Sequence, residues 1–279
     1  MTLGELVRDA ARRLRRAPLH YGHGTTNARD EAAFLVLRGL GLPFEAPADR
    51  PVTSRERKRV ERLLMRRIVE RIPVPYLLQE AWLADEPFYV DRRAIVPRSH
   101  IAAMLQQRLR PWLRRPARRV LDLCTGTGCL AVLAAKAFPR ARVDAADLSR
   151  AALAVAGRNL TLHRLRRRVR LVRSDLFAGL GQRRYDLIVA NPPYVDARAM
   201  RALPREYLHE PRLALAGGAD GLALVRRILG QAGAHLAPRG ILVCEVGRGR
   251  RLLERACPRT PFAWPAAQVF VLSREDLPA

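Results

Sequence analysis

The sequence predicts an α/β protein with a doubly wound, largely parallel sheet, preceded by a small helical domain and a linking β-hairpin. Three observations carry this. From residue 118 onward short apolar runs alternate with helical patterns, the arrangement that builds a parallel sheet with helices on both faces. Residues 1–72 show helical spacing and no strand-like run. Between them, residues 76–96 carry two short apolar runs around D-E-P, a hairpin signal. The expected organisation is 1–75 helical domain, 76–117 hairpin and linker helix, and 118–279 the α/β domain, with the boundary near 110–117.

The elements follow in order. Leu3 to Arg16 has apolar residues at helical spacing. Asn27 can cap a second helix, whose first turn holds Asp30 and Glu31 and whose end Gly41 can form. T-S-R-E at 53–56 is a capping box. It opens a third helix, which runs to about Arg71 because Pro73 and Pro75 forbid continuation. VPRSH at 96–100 is an extended step before a helical stretch over 101–113. RVLDLC (119–124) is a strand, CLAVLAAKAF (129–138) a helix and ARVDAADL (141–148) a strand. SRAALAVAGRNL (149–160) is a helix capped by Ser149. VRLVRS (169–174) and YDLIVA (185–190) are strands. A helix fits 220–236, ending before Pro238 and Gly240, and ILVCEVG (241–247) is the next strand. TPFAW (260–264) and QVFVLS (268–273) suit an antiparallel hairpin at the sheet edge.

Composition narrows the classes. No apolar run is long enough for a transmembrane helix, and the Arg-rich N-terminus lacks the apolar core of a secretory signal, so a cytoplasmic protein is expected. Cys124, Cys129, Cys244 and Cys257 show no metal-ligand spacing, so reduced thiols and no metal are expected. The formal charge of +25 points towards nucleic acid. However, 49 of the 51 basic residues are Arg and they are spread along the whole chain, which is coding bias more than a designed surface. Nucleic acid, or a protein that lives beside it, is retained as a partner class, with direct nucleic-acid contact secondary.

LDLCTGTG (121–128) follows a strand and opens a helix. Gly126, Gly128 and Ala131 fit the G-x-G-x-x-A nucleotide pattern, and Asp147 stands 19 residues beyond Gly128, where a ribose-binding acid is expected. The glycines admit a ligand close to the backbone and the helix terminus favours an anionic group. A nicotinamide cofactor is one reading. Asp122 before the glycines tips the balance, because D-x-x-x-G-x-G resembles the first motif of the Rossmann-like class I methyltransferases. That resemblance implies S-adenosylmethionine, held by Asp122, Cys124, Thr125, Gly126, Thr127, Gly128, Asp147, Asp175, Leu176 and Asn191. Position 124 usually carries Gly in that motif; here it is Cys.

Asn191, Pro192, Pro193 and Tyr194 end the strand YDLIVA on the same sheet edge. A planar NH₂ group is a poor nucleophile with two N–H donors to hold. The Asn191 side-chain oxygen and the Pro192 carbonyl can accept both, leaving the nitrogen lone pair towards a methyl group. Tyr194 can stack on the flat acceptor. The candidate catalytic residues are therefore Asn191, Pro192, Pro193 and Tyr194.

This constellation resembles the amino methyltransferases of adenine, guanine and glutamine. HEPRLALAGGADGL (209–222) resembles a segment of the protein-(glutamine) methyltransferases, and the likeness spans nearly the whole chain. YGHGT (21–25), ERIPVPYL (70–77), FYVDRRAIVPRS (88–99) and DLCTGTGC are similar to the branch that modifies the third large-subunit ribosomal protein. The resemblance implies methyl transfer to a glutamine amide of that ribosomal protein. A release-factor glutamine methyltransferase and a nucleic-acid amino methyltransferase are the alternatives. One departure is AWPAAQVFVL (263–272), where the family's longer loop between its last two strands is shortened. His20, His23 and His209 are expected at surface or capping positions, and Trp82 and Phe88 in the hairpin core. Arg98 is expected to meet an anion or cap a helix.

Overall fold

A computed structural model describes residues 1–277. The N-terminal helices start where the caps predict. α1 (Leu3–Arg16) opens on a reciprocal Thr2–Glu5 capping box, and α3 (Ser54–Val69) on a Thr53–Glu56 box. α2 (Ala28–Gly39) opens on Asn27, whose side chain accepts from the Arg29 and Asp30 N–H groups. Each cap satisfies donors that the helix cannot, and the three helices bury Leu6, Leu14, Leu35 and Leu64 in one core. Gly41 takes a left-handed φ of 73°, closing the end of α2 as expected.

The linking segment departs from expectation in two places. Residues 74–78 form a short helix, α4 (Val74–Leu78), so the hairpin is confined to β1 (Glu80–Leu83) and β2 (Glu86–Tyr89). Pro73 and Pro75 stop α3 but suit the first turn of a new helix, where their missing N–H groups cost nothing. Ala84 and Asp85, with φ of 53° and 61°, turn the hairpin. The helix expected over 101–113 is only α5 (Ile101–Gln106). Arg108 and Leu109 are left-handed and Leu109 is buried, so the apolar spacing that suggested more helix serves a compact turn.

The sheet comprises β3 (Arg119–Leu123), β4 (Arg142–Asp147), β5 (Val169–Arg173), β6 (Tyr185–Ala190), β7 (Leu236–Glu245), β8 (Ala263–Ala266) and β9 (Val269–Ser273). Their order is β5-β4-β3-β6-β7-β9-β8, parallel up to β7, with β9 antiparallel to β7 and to β8. The helices after β3 are α6 (Cys129–Ala137), α7 (Arg150–Leu162), α8 (Ala197–Arg201), α9 (Ala223–His235) and α10 (Arg250–Ala256). Strand alternation divides the core. Val120, Val143, Leu187 and Val189 face α6 and its neighbours, while Leu121, Leu123, Ile188 and Ala190 face α9 and α10. β7 starts at Leu236, directly after α9, not at Ile241 as the sequence suggested. A register shift opposite Tyr185 and a left-handed Arg239 absorb the irregularity at Pro238. α9 likewise begins at Ala223 rather than 220, because Gly221 is left-handed. Among the described residues no helix is long and apolar enough to cross a membrane.

Candidate active site

Register builds the site. Leu123 pairs with Ala146 on one side and Ala190 on the other, and Ala190 pairs with Cys244. The next residue of each strand therefore falls in one row at the carboxyl edge: Asp147, Cys124, Asn191 and Glu245. Ligands of open α/β sheets bind along this edge.

The glycine-rich turn is braced from below. Asp122 is fully buried, and its Oδ2 accepts from the Thr125 hydroxyl and, at 2.9 Å, from the Ala131 N–H. Its Oδ1 meets no hydrogen-bond partner among the described residues. Burial pushes this carboxyl up to about 7, against the pull of those two hydrogen bonds. Asp122 thus shapes the turn and presents no surface of its own. Asp147 reaches across from β4, accepting from the Gly126 N–H at 2.8 Å and from the Ser149 N–H at 2.8 Å. Thr125 and Thr127 are buried within the turn. Asn159 of α7, which the sequence reading passed over, donates to the Thr127 carbonyl at 2.8 Å and exchanges hydrogen bonds with the Tyr89 backbone. It ties the hairpin to the turn.

The two glycines differ. A Cβ on Gly128 would lie 3.0 Å from the Ala156 Cβ, so this glycine lets α6 and α7 pack closely. A Cβ on Gly126 would meet nothing nearer than 4.0 Å, so its face is open. That open face, the acid of Asp147 and the start of α6 without a side-chain cap fit a nucleoside ligand with an anionic group. Cys124 has φ of 56°, a left-handed conformation in which glycine would be unstrained. Burial, then Asp147, Asp122 and Asp175, push its thiol up, so it is a packing group rather than a thiolate. Of the remaining donor-site candidates, Asp175 is exposed and ion-paired to Arg227 at 2.9 Å, and Leu176 is buried in the core with φ of 48°.

Asn191 follows Ala190 at the tip of β6. Its side-chain NH₂ donates to the Arg98 carbonyl at 3.0 Å. A carbonyl accepts only, so it selects the NH₂ end of the amide and leaves the oxygen for another donor. Pro192 and Pro193 are buried. Tyr194 is half-buried with its hydroxyl pushed up to about 12 by burial and then by Glu245. A Cβ on Gly247 would sit 2.5 Å from the Tyr194 ring, so the backbone at Gly247 packs directly against that ring and leaves no room for a side chain. The 209–222 segment wraps the other side of the tip. Val195 bridges Ala216, and a Cβ on Gly221 or Gly217 would lie 2.5 Å or 2.7 Å from the Tyr194 backbone.

Three carboxylates behind this tip escaped the sequence reading. Glu210 accepts from the Val96 N–H at 3.0 Å and holds the Arg98 guanidinium bidentately at 2.7 and 2.6 Å. Burial alone would raise its pKa; His23 and the Arg98 fork outweigh that and hold it at about 2. Glu245 accepts from the Ser99 hydroxyl at 2.6 Å and the His100 N–H at 3.1 Å, and burial raises its pKa. Glu206 accepts from buried Arg67, which also grips Glu31 and the His20 carbonyl, joining the helical region to the loop beyond Tyr194. Of the two readings open for Arg98, an anion or a helix cap, the structure gives the anion, and it is internal. His209 caps the end of α3 through the Glu70 carbonyl at 2.9 Å, and His20 is exposed. His23 is the correction: it is 2% exposed and 3.6 Å from Glu210, because the Gly22–Gly24 turn folds it inward against Tyr207. Phe88 is core, while Trp82 is half-buried against Phe44.

The family model described as Methyltransferase small domain matches residues 102–218. The ribosomal protein uL3 glutamine methyltransferase of Bordetella pertussis is 50% identical over 99% of this chain and 96% of its own length. The enzyme of the same name from Neisseria meningitidis serogroup B is 47% identical over 99% of this chain and 94% of its own. That of Bradyrhizobium diazoefficiens is 48% identical over 99% and 92%. Among solved structures, the hMettl16 catalytic domain in complex with MAT2A 3′UTR hairpin 6 aligns with a TM-score of 0.50 at 14% identity, covering 79% of this chain and 81% of that one, which is a likeness of fold. The chain belongs to the ribosomal protein uL3 glutamine methyltransferase family.

Proposed function

We propose that this protein transfers a methyl group from S-adenosylmethionine to the side-chain amide nitrogen of a glutamine in ribosomal protein uL3. The observation that carries the reading is the row Asp147, Cys124, Asn191 and Glu245, with the Asn191 amide pinned so that its oxygen is free to accept. S-adenosylmethionine supplies an electrophilic methyl group when bound. Gly126 would give it backbone access and Asp147 would accept from its ribose hydroxyls, while Asp122 holds the turn in shape from beneath. Asn191 Oδ1 and the Pro192 carbonyl take the two N–H groups of the glutamine amide. Held so, the nitrogen would have its lone pair free for the methyl group. The buried prolines restrict that geometry before substrate arrives, which is where positioning lowers a barrier. No strong base is needed if the proton leaves after transfer.

In this reading residues 118–279 bind the donor, while 1–75 and 76–117 present the protein substrate. The substrate is met beside nucleic acid during ribosome assembly, which suits the charge of +25. Asn191→Ala should leave donor binding intact and slow transfer about 10²–10³-fold, the usual cost of one preorganised polar contact. Asn191→Asp should fall between the two, since it keeps an acceptor but changes charge and geometry. Single-turnover transfer to undermethylated uL3 at saturating donor tests this. Wild-type rates in the Ala variant would leave Asn191 a turn cap, and label in adenine or guanine would redirect the reading to nucleic acid.

A further inference from the structure

We propose that Glu210 is a positioning residue for transfer: through the Arg98 fork it fixes the Arg98 carbonyl, and that carbonyl fixes the Asn191 amide. The proposal rests on the role of Asn191 given above.

Glu210 is distant in sequence from everything it holds, and its side chain is 0% exposed. A buried ion pair is a weak stabilising device, because desolvation offsets most of the attraction. What it offers is direction. Oε1 takes the Val96 N–H at 3.0 Å and one Arg98 nitrogen at 2.7 Å; Oε2 takes the second at 2.6 Å. One carboxylate therefore clamps both ends of the Val96–Pro97–Arg98 segment, and the ring of Pro97 fixes φ between them. The segment is clamped again just downstream, where Glu245 holds Ser99 and His100. The Arg98 carbonyl sits between the two clamps. It is this carbonyl that accepts from the Asn191 NH₂ at 3.0 Å.

The consequence for Asn191 is specific. Its amide can turn about the last side-chain bond, exchanging NH₂ for oxygen at little intrinsic cost. With the Arg98 carbonyl in place, the exchanged rotamer would set two oxygens against each other. With the carbonyl displaced, that selection disappears and the acceptor for the substrate amide is no longer held. Arg98 also lies over the Tyr207 ring, 5.5 Å from its centroid, which confines the guanidinium from the outer side.

A double-mutant cycle tests the proposal. Transfer to uL3 is measured in single turnover at saturating donor for the wild type, Glu210→Gln, Asn191→Ala and the double variant, with donor affinity measured alongside. Glu210→Gln keeps the shape but loses the charge-assisted fork. It should slow transfer about ten- to a hundredfold, the scale of a small displacement of a reacting group, with donor affinity within about twofold. In the Asn191→Ala background the same change should cost at most about twofold, because its route of action is gone. Equal losses in both backgrounds, or no loss in the wild-type background, would overturn the proposal. A wild-type rate in Asn191→Ala alone would instead remove the reading of Asn191 on which it rests. Arg98→Lys, which keeps the charge but not the fork, repeats the cycle should Glu210→Gln fail to fold. It should show the same loss and the same disappearance of that loss beside Asn191→Ala.

Discussion

The glycine-rich turn at 122–128 and the Asn191–Tyr194 tip lie on adjacent strands of one sheet edge, yet they are held in opposite ways. The turn is braced by near neighbours: Asp122 holds Thr125 and Ala131, Asp147 holds Gly126, and Asn159 holds Thr127. All of these lie within two consecutive strand–helix units. The tip is braced from afar. Asn191 is tied to Arg98, Arg98 to Glu210, and Tyr194 is packed by Gly217, Gly221 and Gly247. The difference suggests that donor binding is a property of the α/β unit, while transfer depends on how the rest of the chain closes over it.

The largest effect that would sharpen this contrast is at Gly221. Its φ of 81° disfavours any side chain, and a Cβ would lie 2.5 Å from the Tyr194 carbonyl oxygen. Gly221→Ala should lose about 2–4 kcal/mol of stability in a urea melt and most of its transfer rate, while donor affinity changes little. A donor affinity that falls in step with transfer would break the contrast. The reverse experiment is Asp147→Ala. It should weaken donor binding by about 1–3 kcal/mol in a calorimetric titration, through loss of a hydrogen bond to a charged acceptor. Transfer at saturating donor should then stay within a few-fold of the parent; a larger fall would mean that the turn also sets the geometry of the tip.

Two buried carboxylates, Asp122 beneath the turn and Glu210 behind the tip, should respond to pH with opposite sign. Asp122 is raised from 3.8 to about 7, so the folded state binds a proton that the unfolded chain has lost, and its contribution worsens as pH rises across that window. Glu210 is lowered from 4.5 to about 2, so its contribution is present above 4.5 and is lost as pH falls towards 2. Relative to the parent, Asp122→Asn should gain stability on going from pH 4 to pH 7, and Glu210→Gln should lose it on going from pH 2 to pH 4.5. Denaturant melts at a series of pH values check both, and the same sign for the two variants would refute the assignment.

The smallest effect concerns Cys124. At its φ of 56° a Cβ costs about 1–2 kcal/mol. Glycine escapes that cost but adds about 0.4–1 kcal/mol of unfolded-chain entropy. Both Cys124→Gly and Cys124→Ala lose the sulfur, so Gly should be the more stable by about 0.5–1 kcal/mol, the reverse of the order at an ordinary position. Ala as the more stable variant would mean that the turn relaxes out of the left-handed conformation.

Much of the molecule was legible because its causes are local. The Thr2–Glu5 and Thr53–Glu56 boxes and the Asn27 and Ser149 caps satisfy donors two or three residues away, so neighbours alone specify where those helices begin. The alternation of β3 to β7 with helices, broken only between β5 and β6 where a helix-free connection runs, sets the doubly wound sheet, and its handed crossovers bring Asp147, Cys124 and Asn191 to one edge. Local reading went astray where packing decided. Leu109 continues a helical spacing yet belongs to a turn, and Pro73 and Pro75 break one helix while starting another. Nothing near position 210 announces that its carboxylate will meet Arg98, 112 residues earlier, nor does Ser99 announce Glu245, 146 residues later. Those pairs exist because closure of the chain removes water from both partners at once. A buried carboxyl group without hydrogen-bond donors, or a buried charge without its opposite, would be too costly to keep, so the tertiary structure, and not the sequence neighbourhood, selected the partners that hold Asn191 in place.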